Sequence, residues 1–234
     1  MNDEIEDKKN KNKYIYKILP EDFGNKPHLN FKVILLGDSG VGKTCLSNRA
    51  INNNFSKNYL ATIGFEFSSF NIKINDTIIK LQIWDTCGQE LYRSLVSSFY
   101  RNTSLGIIVY SINSKESFEN IEQWLKDLKT YSNPDIKLFL IGNKLDLENE
   151  RVISKKEGET LANNYKFNLF MEASAKTGIN AQNIFIEASK ILYEDYLKYK
   201  DLDLNGDINN SKETSKSLNK KGEKGEKGEK GGCC

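Results

Sequence analysis

The sequence has few histidines, prolines and cysteines, and it has no long apolar run. Its 234 residues include one histidine, three prolines and four cysteines. The spacing of Cys45 and Cys87 indicates neither a disulfide framework nor a zinc site, which favours a reducing, cytosolic setting. No stretch approaches the roughly 18 apolar residues of a spanning helix, and the charged N-terminus has no signal-peptide core. Any membrane attachment is therefore expected from lipid or from a partner.

Charge and composition bear on the class of protein and on its domain organisation. A net charge of +2 gives no sign of a nucleic-acid binder, and 38% hydrophobic residues suffice for one sizeable core. Residues 1–29 are polar and show no sustained period, so they predict a flexible N-terminal arm in which only residues 14–19 could dock. Residues 30–199 form the expected globular domain. Residues 200–234 are polar and of low complexity, and they predict a flexible, mildly basic tail.

Between the arm and the tail, apolar strand-like stretches alternate with helical ones. Residues 117–125 and 184–197 have apolar positions three and four apart, which is typical of helices. This alternation predicts an α/β fold with a mainly parallel sheet, helices on both faces and ligands at the carboxyl ends of the strands. The predicted strands are Phe31–Leu36, Glu66–Ile74, Ile78–Trp84, Leu105–Ile112, Ile136–Ile141 and Asn168–Met171.

A phosphate-binding loop follows the first of these strands. Residues 37–44, GDSGVGKT, match the pattern G-x4-G-K-[ST] between a strand and a helical stretch. Glycines allow backbone N–H groups to wrap phosphate oxygens, and the helix N-terminus adds partial positive charge. We expect Lys43 to reach the β- and γ-phosphates and the Thr44 hydroxyl to bind Mg²⁺. The motif indicates a nucleoside triphosphate without saying which one.

Two later motifs indicate guanine. Residues 143–146, Asn-Lys-Leu-Asp, follow a strand, and the Asp146 carboxylate can accept hydrogen bonds from guanine N1–H and N2–H₂, a donor pair that adenine lacks. Residues 172–176, Glu-Ala-Ser-Ala-Lys, follow the last strand and would close over the base. We expect the backbone N–H of Ala175 to lie near guanine O6.

The loop that contains Thr62 and the loop that follows Asp85 are expected to sense the γ-phosphate. Asp85 ends a strand and suits a water-mediated contact to Mg²⁺, while a hydroxyl at Thr62 could complete the metal shell. Gly88 can place its N–H against the γ-phosphate, and Gln89 can orient the attacking water.

Together the motifs GDSGVGKT, TIGFEF, WDTCGQE, NKLD and EASAK resemble those of the Ras superfamily. The segments 63–67, 80–84 and 98–101 and the terminal Cys233-Cys234 resemble the Rab branch. The resemblance covers about residues 30 to 198. It implies a P-loop NTPase small G-domain with a six-stranded, mostly parallel sheet flanked by five helices, and GTP/GDP and Mg²⁺ as cofactors.

The resemblance also implies a set of functional residues. Gln89, Lys43 and Gly88 would be catalytic, and Thr44, Thr62 and Asp85 would hold the metal. Phe55 would stack beside the guanine. The nucleotide-binding positions would be Asp38, Ser39, Gly40, Val41, Gly42, Lys43, Thr44, Cys45, Phe55, Tyr59, Thr62, Gly88, Asn143, Lys144, Asp146, Ser174, Ala175 and Lys176. The effector surface would comprise Ile63, Gly64, Phe67, Trp84 and Phe99.

In a Rab protein both terminal cysteines, Cys233 and Cys234, are typically prenylated, and two lipid chains give stable membrane attachment where one is marginal. The resemblance therefore implies a GTPase, slow alone and stimulated by partners, that switches vesicle-mediated protein transport. It would act on the cytosolic face of endomembranes (vesicle, Golgi, ER or endosome) and exchange with the cytosol. Its partners would be an exchange factor, a GTPase-activating protein, a GDP-dissociation inhibitor, the prenylation machinery and effectors.

Some residues depart from the Rab pattern. Cys87 stands where the family usually has Ala, and a thiol beside the γ-phosphate site could alter hydrolysis or be oxidised. Phe65-Glu66 replaces the usual Val-Asp, which affects the surface that partners read more than nucleotide binding. The main alternative is a GTP-binding scaffold with vestigial hydrolysis, against which the intact Lys43, Thr62 and Gln89 argue. A P-loop kinase or ATPase is disfavoured by residues 143–146, and a soluble nuclear-transport GTPase by the terminal cysteines.

Overall fold

The computed structural model describes residues 14–56, 65–86 and 97–218. Its strands are β1 Tyr16–Leu19, β2 Leu29–Leu36, β3 Phe65–Ile74, β4 Thr77–Thr86, β5 Leu105–Ser111, β6 Lys137–Asn143 and β7 Leu169–Glu172. Its α-helices are α1 Lys43–Asn52, α2 Lys115–Glu119, α3 Ile121–Tyr131, α4 Lys155–Asn164 and α5 Ala181–Leu218. Short 3₁₀ segments cover Ser97–Tyr100 and Leu145–Glu150.

The strands form one sheet in the order β1-β3-β4-β2-β5-β6-β7. Strands β4, β2, β5, β6 and β7 are mutually parallel, and β3 pairs antiparallel with β4. The prediction of an α/β fold with a mostly parallel sheet is therefore confirmed. Each of the six predicted strands is present, with ends shifted by at most two residues.

Continuous apolar runs explain why the central strands are parallel and covered on both faces. All seven residues of β5 are buried, as are Val33 to Leu36 in β2. Strands that helices cover on both faces have such continuous apolar sequences. Because successive side chains point to opposite faces, Ile34 and Leu36 join a core beneath α3, whereas Val33 and Leu35 face the other layer.

Helices α3 and α4 show how local sequence sets the flanking layer. In α3, Ile121, Trp124, Leu125 and Leu128 are buried, which is the three-and-four spacing of one helix face. Helix α4 begins with a capping box: the Ser154 hydroxyl accepts from the Glu157 N–H, and the Glu157 carboxylate accepts from the Ser154 N–H.

The seventh strand corrects the expectation of six strands, and it lies within residues 14–19, the patch that could dock. β1 pairs antiparallel with β3, from Tyr16 opposite Ile74 to Leu19 opposite Asn71. The Tyr16 ring is buried, and the Lys190 Nζ lies 4.9 Å from its centroid. The apolar patch at residues 14–19 docks because β3 would otherwise present unpaired backbone groups at the sheet edge.

The C-terminal boundary also differs from the prediction. The chain divides into two units, Met1–Leu192 and Tyr193–Cys234, the second of which starts within α5. Helix α5 continues through Leu218, so the expected flexible tail is helical from residue 200 to 218. Extending an existing helix gains one hydrogen bond for each residue fixed, which a polar sequence can support. None of the helices within the described ranges has the length and apolarity to cross a bilayer.

The docking of β1 gives a first prediction. Replacing Tyr16 by Ala should lower the free energy of unfolding by about 2–4 kcal/mol, because it removes a buried ring and the contact with Lys190. Replacing the adjacent Ile15, whose side chain is 60% exposed, by Ala should change it by under about 0.5 kcal/mol. Urea unfolding of both variants measures this. A change of under about 0.5 kcal/mol for Tyr16→Ala as well would contradict the prediction, because the docked ring would then add no stability.

Candidate functional site

The phosphate-binding loop joins β2 to α1 at the carboxyl edge of the sheet, as predicted. Lys43, the first residue of α1, is 5% exposed, and its Nζ donates to the carbonyl oxygens of Gly37 (2.9 Å) and Asp38 (2.8 Å). These bonds hold the ammonium group across the mouth of the loop. A cation and a helix N-terminus at the same point favour an anionic ligand.

Two glycines of this loop have no room for a side chain. A Cβ on Gly37 would lie 2.1 Å from the Val109 carbonyl oxygen, and one on Gly42 would lie 2.4 Å from the Asn143 Nδ2. Both residues also have positive φ, 134° and 97°. The motif therefore needs glycine here for packing and for backbone conformation, which leaves the loop backbone free to approach a ligand.

Thr44 and Asp85 form the part of the site that suits Mg²⁺. The Thr44 hydroxyl donates to the Asp85 Oδ2, while the Asp85 Oδ1 is buried and lacks a hydrogen-bond partner among the described residues. A buried carboxylate oxygen that accepts no hydrogen bond and a neighbouring hydroxyl oxygen are the kind of ligands that hard cations such as Mg²⁺ bind. The residues present therefore fit the metal, which would draw phosphate charge toward this edge.

Burial dominates the electrostatics of Asp85. It raises the pKa of the carboxyl from 3.8 to about 6, although the Thr44 hydrogen bond and the Lys43 ammonium both act to lower it. Glu66, directly opposite on β3, raises the pKa further. A divalent cation would relieve both effects, because its charge stabilises the ionised carboxylate.

Asn143 ties the phosphate-binding loop to the loop after β7. Its buried side chain donates from Nδ2 to the Val41 carbonyl oxygen (2.8 Å) and accepts at Oδ1 from the Ala175 N–H (3.2 Å). The Ala175 N–H, which we expected near guanine O6, thus points toward Asn143. The following residue, Lys144, has φ of 67°, which turns the chain sharply out of β6.

Asp146 is oriented by the loop after β7. The Ser174 hydroxyl donates to its Oδ1 (2.6 Å), and the Lys176 Nζ lies 3.4 Å from its Oδ2. The Asp146 side chain is 12% exposed. A carboxylate held in one orientation at the mouth of a pocket can accept two parallel N–H donors.

A pocket of about 350 Å³ opens between these loops, large enough for a small ligand. Nine of the predicted nucleotide-binding residues line it: Gly40, Gly42, Cys45, Phe55, Asn143, Lys144, Asp146, Ala175 and Lys176. Ser56 and Leu147 also line it and were not predicted. Burial raises the pKa of the Cys45 thiol, helped by Asp85 and opposed by Lys144.

Several predicted residues lie outside the described part of the chain. These are Tyr59, Thr62, Ile63, Gly64, Cys87, Gly88, Gln89, Cys233 and Cys234. Their predicted roles stay predictions.

The predicted effector residues Phe67, Trp84 and Phe99 lie together. Ring centroids are 5.7 Å apart for Phe67 and Trp84 and 5.6 Å for Trp84 and Phe99. Phe65 joins them, 4.4 Å from Phe99 and 5.7 Å from Trp84. We call these four residues the aromatic surface; about half of Phe65 and of Phe67 is exposed, at 49% and 53%. Phe65 was not among the predicted effector residues, although its replacement of the usual Val was expected to affect the surface that partners read.

Other supporting residues gave no signal in the sequence. The Asp38 carboxylate, expected at the nucleotide, accepts from Asn120 Nδ2 and Trp124 Nε1, both at 2.8 Å. Arg49 on α1 donates to carbonyl oxygens of the loop after β7. These pairs are separated by more than 80 residues, and only the folded chain brings them together.

Comparison with known proteins agrees with this geometry. A model of the Ras family matches residues 32–194. The chain is 44% identical over 163 residues to Ras-related protein RABA1i of Arabidopsis thaliana, covering 70% of this chain and 74% of that protein. It is 40% identical over 160 residues to Ras-related protein Rab-8A of Rattus norvegicus, covering 68% and 77%.

The chain belongs to the Rab family of the Ras superfamily. This Rab protein is accordingly a GTPase that hydrolyses GTP to GDP and uses GTP or GDP with Mg²⁺. The predicted family, enzyme class and cofactors are confirmed.

The raised pKa of Asp85 predicts a pH dependence in nucleotide- and metal-free protein. Between about pH 4 and 6 the folded state binds more protons than the unfolded chain, so the stabilisation from Asp85 is lost as pH rises through the folded pKa of about 6. From pH 5 to 8 the free energy of unfolding should fall by about 1–2 kcal/mol relative to Asp85→Asn. Urea unfolding across this range measures it, and parallel curves for the two proteins would contradict it.

Proposed function

We propose that this Rab protein is a GTP-dependent switch for vesicle-mediated protein transport on the cytosolic face of endomembranes. The observation that carries the proposal is the aromatic surface, which adjoins the end of β4 where Asp85 lies. Exposed aromatic residues beside a metal and phosphate site suit a partner that binds only one nucleotide state. The two Rab relatives support the same function.

Within the site, we assign the phosphates to Lys43 and the phosphate-binding loop. Thr44, Asp85 and Thr62 would hold Mg²⁺. The role of Asp85 is supported by its burial and by its Oδ1, which accepts no hydrogen bond from any described residue. Asp146 would bind guanine, with Phe55 beside the base. The orientation of Asp146 by Ser174 supports this, because two aligned acceptor oxygens match guanine's N1–H and N2–H₂ donors.

Hydrolysis would depend on Gln89, which orients the attacking water, and on the Gly88 N–H at the γ-phosphate. Replacing Gln89 by Leu removes the amide that positions water, so single-turnover hydrolysis of bound GTP should slow by about tenfold or more. Binding of GTP should be unchanged, since Gln89 would contact only the water. Quenched-flow measurement of phosphate release tests this.

The control for that experiment is Asn48→Ala, which changes an exposed residue of α1. Equal hydrolysis by the parent and by Gln89→Leu would contradict the role of Gln89. Negligible hydrolysis in both, with tight GTP binding, would favour the alternative of a GTP-binding scaffold. The Rab relatives do not favour that alternative.

The effector surface would combine Ile63 and Gly64 with the aromatic surface. Ordering of the loops around Thr62 and Gly88 by GTP would place those groups side by side, and hydrolysis would release them. Phe65, where Rab sequences usually have Val, enlarges the aromatic surface and would select an effector with a wide apolar face. An exchange factor, a GTPase-activating protein, a GDP-dissociation inhibitor and the prenylation machinery would complete the cycle.

Membrane attachment would come from lipids on Cys233 and Cys234, with residues 200–234 as the tether to the G domain at 30–199. We expect replacement of both cysteines by Ser to release the protein into the cytosol and to abolish its effect on transport of a secreted reporter. Single replacements should give partial release, because one chain anchors only marginally. Cell fractionation and reporter secretion measure both effects. Unchanged membrane association in the double variant would contradict the proposal.

A further inference from the structure

Arg49 lies on α1, six residues after Lys43, and its side chain leads away from the phosphate-binding loop. Its Nε donates to the Ala175 carbonyl oxygen (2.8 Å) and its Nη2 to that of Lys176 (2.5 Å). Its Nη1 donates to the carbonyl oxygen of Asn53 (3.0 Å) and lies 3.3 Å from the Asn53 Oδ1. One guanidinium therefore joins two separate loops.

Both loops supply residues that line the pocket. Phe55 and Ser56, just after Asn53, belong to one of them and Ala175 and Lys176 to the other, and we call these two parts of the lining its walls. Arg49 itself does not line the pocket, so it acts on a ligand only through the walls it holds.

Each loop has hydrogen bonds of its own besides those from Arg49, and Gln182 Nε2 at the start of α5 donates to the Ala50 carbonyl oxygen of α1 (3.2 Å). The Gly178 N–H donates to the Ser174 carbonyl oxygen and the Ser174 N–H to that of Ile179, which closes the loop after β7 upon itself. The Asn53 N–H donates to the Arg49 carbonyl oxygen, which ends α1 with Asn53 at φ of 50°. The contacts of Arg49 add the connection between the loops.

Arginine suits this place better than lysine. Its planar fork of N–H donors can serve three carbonyl oxygens at once, and its charge strengthens each bond. A Lys side chain carries the same charge but cannot span the carbonyl oxygens of Ala175, Lys176 and Asn53 together.

We propose that Arg49 is a positioning residue that keeps the two walls of the base pocket together and so sets the rate of nucleotide dissociation. The proposal depends on the assignment of this pocket to guanine nucleotides. Bound nucleotide leaves when the walls separate, and separation must break the bonds from Arg49. Lys43, Thr44 and Asp85, to which the phosphates and Mg²⁺ are assigned, do not line this pocket, so we expect hydrolysis of bound GTP to be independent of Arg49.

The test uses the full chain loaded with fluorescent GDP, whose release is followed after addition of excess unlabelled GDP. Arg49→Met keeps the aliphatic stem without donors, and Arg49→Lys keeps the charge without the fork. Both should release GDP about ten- to a hundredfold faster than the parent, since several bonds from a charged donor are lost. Asn48→Ala, next to Arg49 and exposed, is the matched control and should stay within about twofold.

Single-turnover hydrolysis of preloaded GTP separates positioning from general loosening of the fold. Unchanged hydrolysis in both Arg49 variants, together with fast release, supports the proposal. Equal loss of hydrolysis and of nucleotide retention would overturn it, because the whole site would then have been disturbed. Release from Arg49→Lys as slow as from the parent would also overturn it, since charge alone would suffice. Failure of the parent to retain any guanine nucleotide would instead overturn the pocket assignment, and the inference with it.

Discussion

The parallel alignment of β4, β2, β5 and β6 is the constraint on which the site depends. Parallel strands all end at the same edge, so the loops that follow them meet there. In register, Leu35 of β2 lies beside Asp85 of β4, and Ser111 of β5 beside Asn143 of β6. The residues that we assign to the phosphates, the metal and the base come from distant parts of the chain and are thereby collected along this edge. The connecting helices cover the apolar faces and leave this edge open.

Polar side chains then hold the collected loops to one another, and of these Asn143 is buried and Arg49 is partly buried. Asn143 joins the phosphate-binding loop to the loop after β7, and Arg49 joins that loop to the end of α1. Each buried donor or acceptor would destabilise the fold if left unpaired, so these bonds specify one arrangement of loops that have little regular structure. Asp85 is the exception: its Oδ1 has no hydrogen-bond partner within the described part of the chain and its pKa is raised, as suits the proposed contact with a cation. Local stability and ligand binding are thus coupled through the same residues.

Two features of this chain, the strand β1 and the residue Phe65, differ from what the resemblance to the Rab family implied. β1 extends the sheet by one strand and pairs with only the last four residues of β3, so the edge at residues 65–70 is not paired by it. On that segment Phe65 and Phe67 stand exposed, beside Trp84 and Phe99. The added strand therefore stabilises the end of β3 far from the aromatic surface. The other end of β3, which carries Phe65 and Phe67 and which partners would contact, is left unchanged by this strand.

The sequence by itself determined the fold class, the six main strands and the motifs of the nucleotide site, because apolar runs and glycine-rich loops act locally. It also indicated Phe67, Trp84 and Phe99, through their resemblance to the Rab pattern. Only the tertiary structure decided that Tyr16 docks β1 against β3. It alone placed Arg49 between two loops and turned the Asp38 carboxylate toward Asn120 and Trp124. Such contacts join residues far apart in the chain, where no local period or spacing records which partner each side chain meets.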